Sequence, residues 1–310
     1  MISDFETRFA ALSGPVRCAF WMVLAGVGFS AMGGLIKFMS TDMHPFQVAF
    51  FRCFFGLVWM LPWLIRRGPR ALKTKRLPLY LTRATFGVIG MLSGFYALAH
   101  LALADATALS FTAPLFATVG AALILRERVR LRRWSATLLG FVGVLVILRP
   151  GATAIDPAVF WSLLAAATTA ANMLIVKRLT DTEPSEAVVV WMVLMLTPLT
   201  LLAALPFWVW PTLEQWPYLA AMGLAGTLGH LCITRGFKAA DASLAMTFEY
   251  ARMPMSAAVG IVIFSEKPTV WTFLGAGIVA LASAYIAHRE TTLARQDKIE
   301  TEPDRKVVRL

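Results

Sequence analysis

The chain has 310 residues and a formal charge of +11, yet 58% of it is hydrophobic and its mean hydropathy is +0.68. That apolar share lies far above a soluble domain's and excludes an ordinary water-soluble fold. The positive charge sits in short segments between apolar runs, which excludes a continuous nucleic-acid-binding face.

Residues 1–17 form a polar tail of mixed charge, and the first apolar run is too long for the core of a cleavable signal peptide. Apolar runs then recur at 18–40, 46–65, 79–101, 105–125, 134–149, 157–176, 187–208, 215–236, 241–264 and 268–287. Most approach the ~20 residues needed to cross ~30 Å of hydrocarbon as a helix. The fifth and sixth are separated by a turn at Arg149-Pro150-Gly151, where Pro and Gly end a helix. The expected fold class is therefore an all-α integral membrane protein with ten transmembrane helices. Cys18, Cys53 and Cys232 each lie alone in an apolar run, the place of small buried residues. No disulfide frame, metal site or cofactor is expected.

Ten spans put both termini on one side. That side carries Arg66, Arg67, Arg70, Lys73, Lys75 and Arg76, the arginines from 126 to 133, and the basic tails; the other has only Lys37, Arg149 and Lys267. The positive-inside rule makes the first side cytoplasmic.

The two halves echo one another. Phe20-Trp21 and Lys37 match Phe160-Trp161 and Lys177; Gly87 and Gly90 match Gly223 and Gly226; Asp105 matches Asp241, and Glu127 matches Glu266. Each half holds five spans, an odd number, so the second enters the membrane from the opposite side. The halves are then inverted repeats, 18–149 and 157–288, between tails 1–17 and 289–310, and such repeats place a substrate site near mid-bilayer between them.

Three stretches carry a family resemblance: His-Pro-Phe-Gln-Val-Ala-Phe-Phe-Arg (44–52), Phe-Thr-Ala-Pro-Leu-Phe-Ala (111–117) leading to Arg-Glu-Arg (126–128), and Phe-Glu-Tyr-Ala-Arg (248–252) leading to Ser-Glu-Lys-Pro (265–268). The chain resembles drug/metabolite transporters of the EamA type over residues 18–288. The resemblance implies ten helices in two five-helix repeats around a central cavity that carries small organic solutes. The family's usual glycine before the acid is Arg126 in one half and Ser265 in the other, which implies a differently built loop.

Charged residues inside apolar spans mark the candidate substrate site, because each must face the bundle interior, pair or snorkel. Arg52 lies ~9 Å from the outer end of the second span at 1.5 Å per residue. Substrate contact and a structural ion pair explain it equally well. Glu249 and Arg252 lie ~12 and ~16 Å into the ninth span, near its middle, and three residues apart they share a helix face. Tyr250 adds an aromatic surface with a polar tip. A self-neutralising ion pair is the alternative for these two, and the substrate site is favoured because intramembrane charges mark substrate pathways. His230 is the one deep histidine and Asn172 sits at mid-bilayer; an interhelical hydrogen bond is the commoner role for both. The Asp105 carboxylate is read as the N-cap of the fourth span.

The reading that follows is a secondary transporter, probing a small-molecule substrate from either side of the lipid bilayer by alternating access, and not an enzyme. Arg52 and Arg252 would hold a carboxylate or phosphate and Glu249 an ammonium, so an amino acid or similar zwitterion or anion fits best. An integral-membrane enzyme would need a dense polar constellation at one membrane face, and a scaffold would leave Glu249 and Arg252 replaceable. No Gly-x4-Gly-Lys-Ser/Thr motif occurs, so ATP is not the direct energy source. The expected location is the plasma membrane, as a monomer or a larger assembly.

Overall fold

The computed structural model describes residues 14–68, 72–113, 115–116, 131–149, 156–239, 248, 252–282 and 285. Among the described residues there are helices and no strand. They are α1 (Gly14–Met39), α2 (Pro45–Arg67), α3 (Leu77–His100), α4 (Leu103–Ser110), α5 (Leu131–Leu148), α6 (Ala158–Thr180), α7 (Ser185–Ala204), α8 (Gln215–Ala239), α9 (Arg252–Phe264) and α10 (Val270–Ala282). A 3-10 turn, Leu205–Phe207, extends α7. Five of these helices, α1, α2, α3, α6 and α7 with its extension, are long and apolar enough to cross a bilayer. Although α8 has 25 residues, glycines, threonines and a histidine dilute its hydropathy.

Local chemistry sets several ends. Pro45 opens α2 at a position where its missing N–H costs nothing, and His44 Nδ1 accepts the Phe46 N–H at 3.3 Å. Gly68 ends the helix at φ 69°, the left-handed region that glycine enters freely. The fourth span departs from the sequence expectation. It begins at Leu103 rather than 105 and breaks at a turn over Phe111 and Thr112, with Phe111 N–H bonded to Ala108 O and Thr112 N–H to Leu109 O. Pro114 follows at once and has no N–H with which to continue the ladder. Asp105 is consequently not an N-cap. It sits in the first turn of α4 and accepts a hydrogen bond from Thr272 Oγ1 at 2.7 Å.

The packing is two-fold. α1 lies along α8 and α3 along α6; α2 meets α7 and α8, while α7 meets α3; α1 meets α9 as α6 meets α4; and α4 meets α9. Exchanging each helix with the one five places on leaves this set unchanged, as a duplicated five-helix unit requires. The partners run antiparallel. Gly14 abuts Ala239 whereas Gly28 abuts Gly229, and Gly87 lies by Asn172 whereas Gly94 lies by Ala165. An antiparallel exchange of this kind is what inverted repeats produce.

Between apolar helices in lipid there is little hydrophobic drive, so close approach of backbones supplies the attraction. A Cβ on Gly143 would stand 2.8 Å from Gly275 O, and one on Gly275 would stand 2.5 Å from Gly143 O. These mutual approaches join α5 to α10. Gly223 is similarly pressed on the Phe55 side chain of α2. The outward faces are apolar and the deepest charges lie within: Ile65 is 72% exposed and Val262 80%, while Arg52 is 1% exposed. That inversion of the soluble pattern is how a bilayer-embedded bundle satisfies its charges.

Candidate functional site: a cation-lined cavity between the halves

A cavity of about 320 Å³ lies at the centre, bounded by α1–α4 and α6–α9. These are the first four helices of each half, and the volume is in the range of small-molecule sites. Much of its wall is soft and apolar, with Phe29, Met32, Met91, Phe95, Met173 and Met192 among the lining side chains. Methionines adapt to irregular shapes. Set into that wall are Arg52, Arg83, Asn172, His230 and Arg252. Among the described residues, no carboxylate lines the cavity.

Arg52 is held on α2 with its guanidinium against α8. A Cβ on Gly226 would be 2.9 Å from Arg52 Nε and 3.2 Å from Nη2, so the glycine at 226 creates the slot the arginine occupies. Its Nη1 makes one long contact to Cys53 Sγ at 3.9 Å. Nη2 is buried and has no hydrogen-bond partner among the described residues. One turn beyond Gly226, His230 sets its ring edge-to-face on Phe29 with centroids 5.0 Å apart.

Arg252 opens the described part of α9. Its Nη2 donates to Ser110 Oγ at 2.8 Å, at the break in α4, and its guanidinium carbon stands 6.0 Å from the centre of the Phe29 ring. Ser30 of α1 ties the same region, with Oγ 3.1 Å from Ser256 Oγ and 3.5 Å from the Arg252 carbonyl oxygen. Asn172 lines the cavity but is also a tether: oriented to satisfy both its amide atoms, it donates to Arg83 O at 3.1 Å and accepts from Gly87 N at 3.2 Å. The interhelical role expected of such a residue is thus present. Glu249 and Tyr250 lie outside the described residues.

The sequence reading overlooked Arg83. It lies in the N-terminal half of α3, is 5% exposed, and donates to Val188 O at 2.6 Å and to Met192 Sδ at 3.4 Å. A lone arginine inside the apolar run 79–101 was the available signal, by the same rule that singles out Arg52.

The end of the bundle where α1 stops and α4 begins is joined by a polar clasp. Lys37 of α1 pairs with Glu266 and donates to Leu101 O at 2.8 Å; Glu266 Oε2 accepts the Leu103 N–H at 2.9 Å. Glu266 therefore caps α4 from across the bundle, which is why that helix starts two residues before Asp105. Ser265 takes φ 53°. That is the left-handed region that glycine favours, held here by a serine. The first half's counterpart, Arg126-Glu127, lies outside the described residues. At the other end, Lys177 donates to Phe237 O at 3.0 Å, repeating the Lys37–Leu101 bond.

Comparison with known proteins agrees with this architecture. The EamA-like transporter family matches the chain twice, at residues 16–149 and 156–287. A riboflavin transporter of Vibrio cholerae is 34% identical over 289 residues, covering 92% of this chain and 97% of that protein. An S-adenosylmethionine uptake transporter of Rickettsia bellii is 31% identical over 270 residues, covering 87% and 93%. A pseudopaline exporter of Pseudomonas aeruginosa is 29% identical, covering 84% and 92%. One solved structure superposes with a TM-score of 0.60 at 20% identity over 87% of this chain and 96% of the other, a likeness of fold alone. These relatives are transporters rather than enzymes, and their named cargoes are small metabolites. With both halves matched and the cavity between them, the chain belongs to the EamA-like transporter family and is an integral-membrane transporter of small metabolites.

Proposed function

We propose that the protein is a secondary transporter of the bacterial inner membrane, moving an acceptor-rich organic metabolite through the central cavity by alternating access. Ten helices span the bilayer, as repeats 18–149 and 157–288 with cytoplasmic tails 1–17 and 289–310. The observation that carries the reading is the cavity itself, enclosed by four helices of each half and lined by Arg52, Arg83 and Arg252. Rocking one half against the other about such a site exposes it to each side in turn.

The lining separates the cargo classes named among the relatives. Riboflavin is neutral and carries several carbonyl and ring-nitrogen acceptors, which guanidinium donors suit. S-adenosylmethionine adds a sulfonium and an ammonium to its single carboxylate, and these two cations find no counter-ion among the described lining residues. The amino-acid preference of the sequence depends on Glu249 as the ammonium partner, whereas the cavity's described charges are all positive. Acceptor-rich cargo is therefore favoured.

Solute counterflow in proteoliposomes tests this. Riboflavin or a comparable acceptor-rich solute is expected to exchange without ATP, and S-adenosylmethionine weakly or not at all. Exchange of S-adenosylmethionine alone reverses the cargo assignment, and exchange of no solute in a broad metabolite panel overturns the transport reading.

The orientation has its own test on a background lacking Cys18, Cys53 and Cys232. An impermeant thiol reagent added outside is expected to label Thr212→Cys and spare Leu72→Cys. Labelling of position 72 alone reverses the topology.

A further inference from the structure

Among the described residues Arg52 is the least exposed charged side chain, and no carboxylate lines the cavity beside it. Of its donors, Nη1 reaches only a thiol sulfur at 3.9 Å and Nη2 reaches nothing among the described residues. Arg83, on the same cavity, spends its two terminal nitrogens on a backbone carbonyl and a thioether rather than on an acid. Two buried guanidiniums without a described counter-ion are a poor way to stabilise a fold, since an uncompensated buried charge is strongly unfavourable.

The second half shows that the fold does not need them. Setting Pro45 against Pro184 puts Trp191 opposite Arg52, and setting Gly87 and Gly90 against Gly223 and Gly226 puts Leu219 opposite Arg83. Trp191 stacks on Tyr80, and Leu219 is fully buried in an apolar cluster. The same architecture thus closes with apolar side chains at both places. What the halves share, such as the Lys37 and Lys177 bonds to facing carbonyls, is scaffold; what breaks the symmetry is left for the cargo.

We infer that the transported metabolite carries an anionic oxygen group, a carboxylate or a phosphate monoester, and that this group docks on Arg52 beside Gly226, with Arg83 as the second cation of the same cavity. The inference rests on the transporter reading and sharpens it from acceptor-rich to anionic cargo. A guanidinium fork presents paired donors to either group. Gly226 positions the fork, because any side chain there would occupy its place.

The test is thermal stability of the full chain in detergent against matched pairs, since a ligand of the folded state raises apparent stability. One arm pairs carboxylates with their amides, beginning with nicotinate and nicotinamide. The other pairs phosphate monoesters with their alcohols, beginning with riboflavin 5′-phosphate and riboflavin. An anion is expected to outrank its neutral partner in one arm, and the responding arm identifies the group. Arg52→Gln should then weaken that anion about 10- to 100-fold and its neutral partner by less, and Arg52→Lys should fall between. If Arg52→Gln does not fold, Arg52→Lys and Gly226→Ala give the reading. No charge preference in either arm, or a preference that survives loss of the arginine fork, overturns the inference. Counterflow of the same solute keeps the two claims apart. An anion bound through Arg52 that never exchanges across the bilayer sinks the transport reading alone; a solute that exchanges with no preference for charge sinks the anion site alone.

Discussion

Glu266→Ala is expected to destabilise the protein by about 3 kcal/mol, the lower end for removing one member of a buried ion pair. The lower end applies because the pair is not sealed: the Lys37 side chain is 20% exposed and that of Glu266 10%. Two partners are left behind. Lys37 keeps the Leu101 carbonyl and the face of the Phe264 ring but no counter-charge, and the Leu103 N–H at the start of α4 loses its acceptor. Three segments, α1, the α3–α4 turn and the end of α9, lose the group that joins them. Gly260 allows this arrangement, for a Cβ there would collide with the Glu266 carboxylate. Thermal unfolding in detergent measures the effect. The double variant Lys37→Met with Glu266→Met should lose less than the sum of the singles, because no lone charge remains. Equal, additive losses would show that the pair is not a unit. On the alternating-access reading the clasp opens once per cycle, so the destabilised single variant should also exchange solute at a changed rate.

Much of the fold was legible because membrane helices announce themselves by length and apolarity. The starts and ends of α1, α2, α3, α6 and α8 fall within a few residues of the expected runs. The repeat was legible through a handful of matched residues, and the structure gives those matches physical roles. Gly90, Gly223 and Gly226 are places where a neighbouring helix comes too close for a side chain, and Gly87 lies in ordinary contact with Leu196. Lys37 and Lys177 each bind a carbonyl at the end of a facing helix. What sequence spacing could not supply was action at a distance. Asp105 looked like a cap because it opens an apolar run, but the cap of α4 comes from Glu266, more than a hundred residues away.

The same limit governs the site. Arg52, Arg252, His230 and Asn172 were singled out by depth within a span, a one-dimensional measure, and all four reach one cavity. Depth says nothing about direction, so it could not tell that Asn172 also tethers α6 to α3 while Arg52 faces a gap made by a glycine on α8. Arg83 was missed because it lies near the basic segment 66–76, where an arginine reads as a topology signal. Its 5% exposure separates it from its neighbour Arg76, which sits outside the helix.

Arg252→Ala is expected to reduce counterflow by at least about 10-fold while costing about 1.5–3 kcal/mol of stability, the range for a hydrogen bond made by a charged group. The structural loss is limited because the neighbourhood is held without the side chain. Ser110 Oγ keeps its own bond to Thr107 O at 2.7 Å. Ser30 binds the backbone carbonyl of residue 252 and the Ser256 hydroxyl, so the α1–α9 joint survives the substitution. The functional loss is large because the guanidinium stands at the break in α4, over Phe29, on the cavity wall. Glu249, three residues earlier on the chain, is proposed to act with it, and Glu249→Gln should lower exchange in the same way. Counterflow and thermal unfolding measured on the same preparations separate a cargo site from a structural pair. If the two residues only neutralise one another, the double variant should be more stable than either single one and should recover exchange. If they handle cargo, the double variant should stay folded and remain as poor a transporter as the worse of the two.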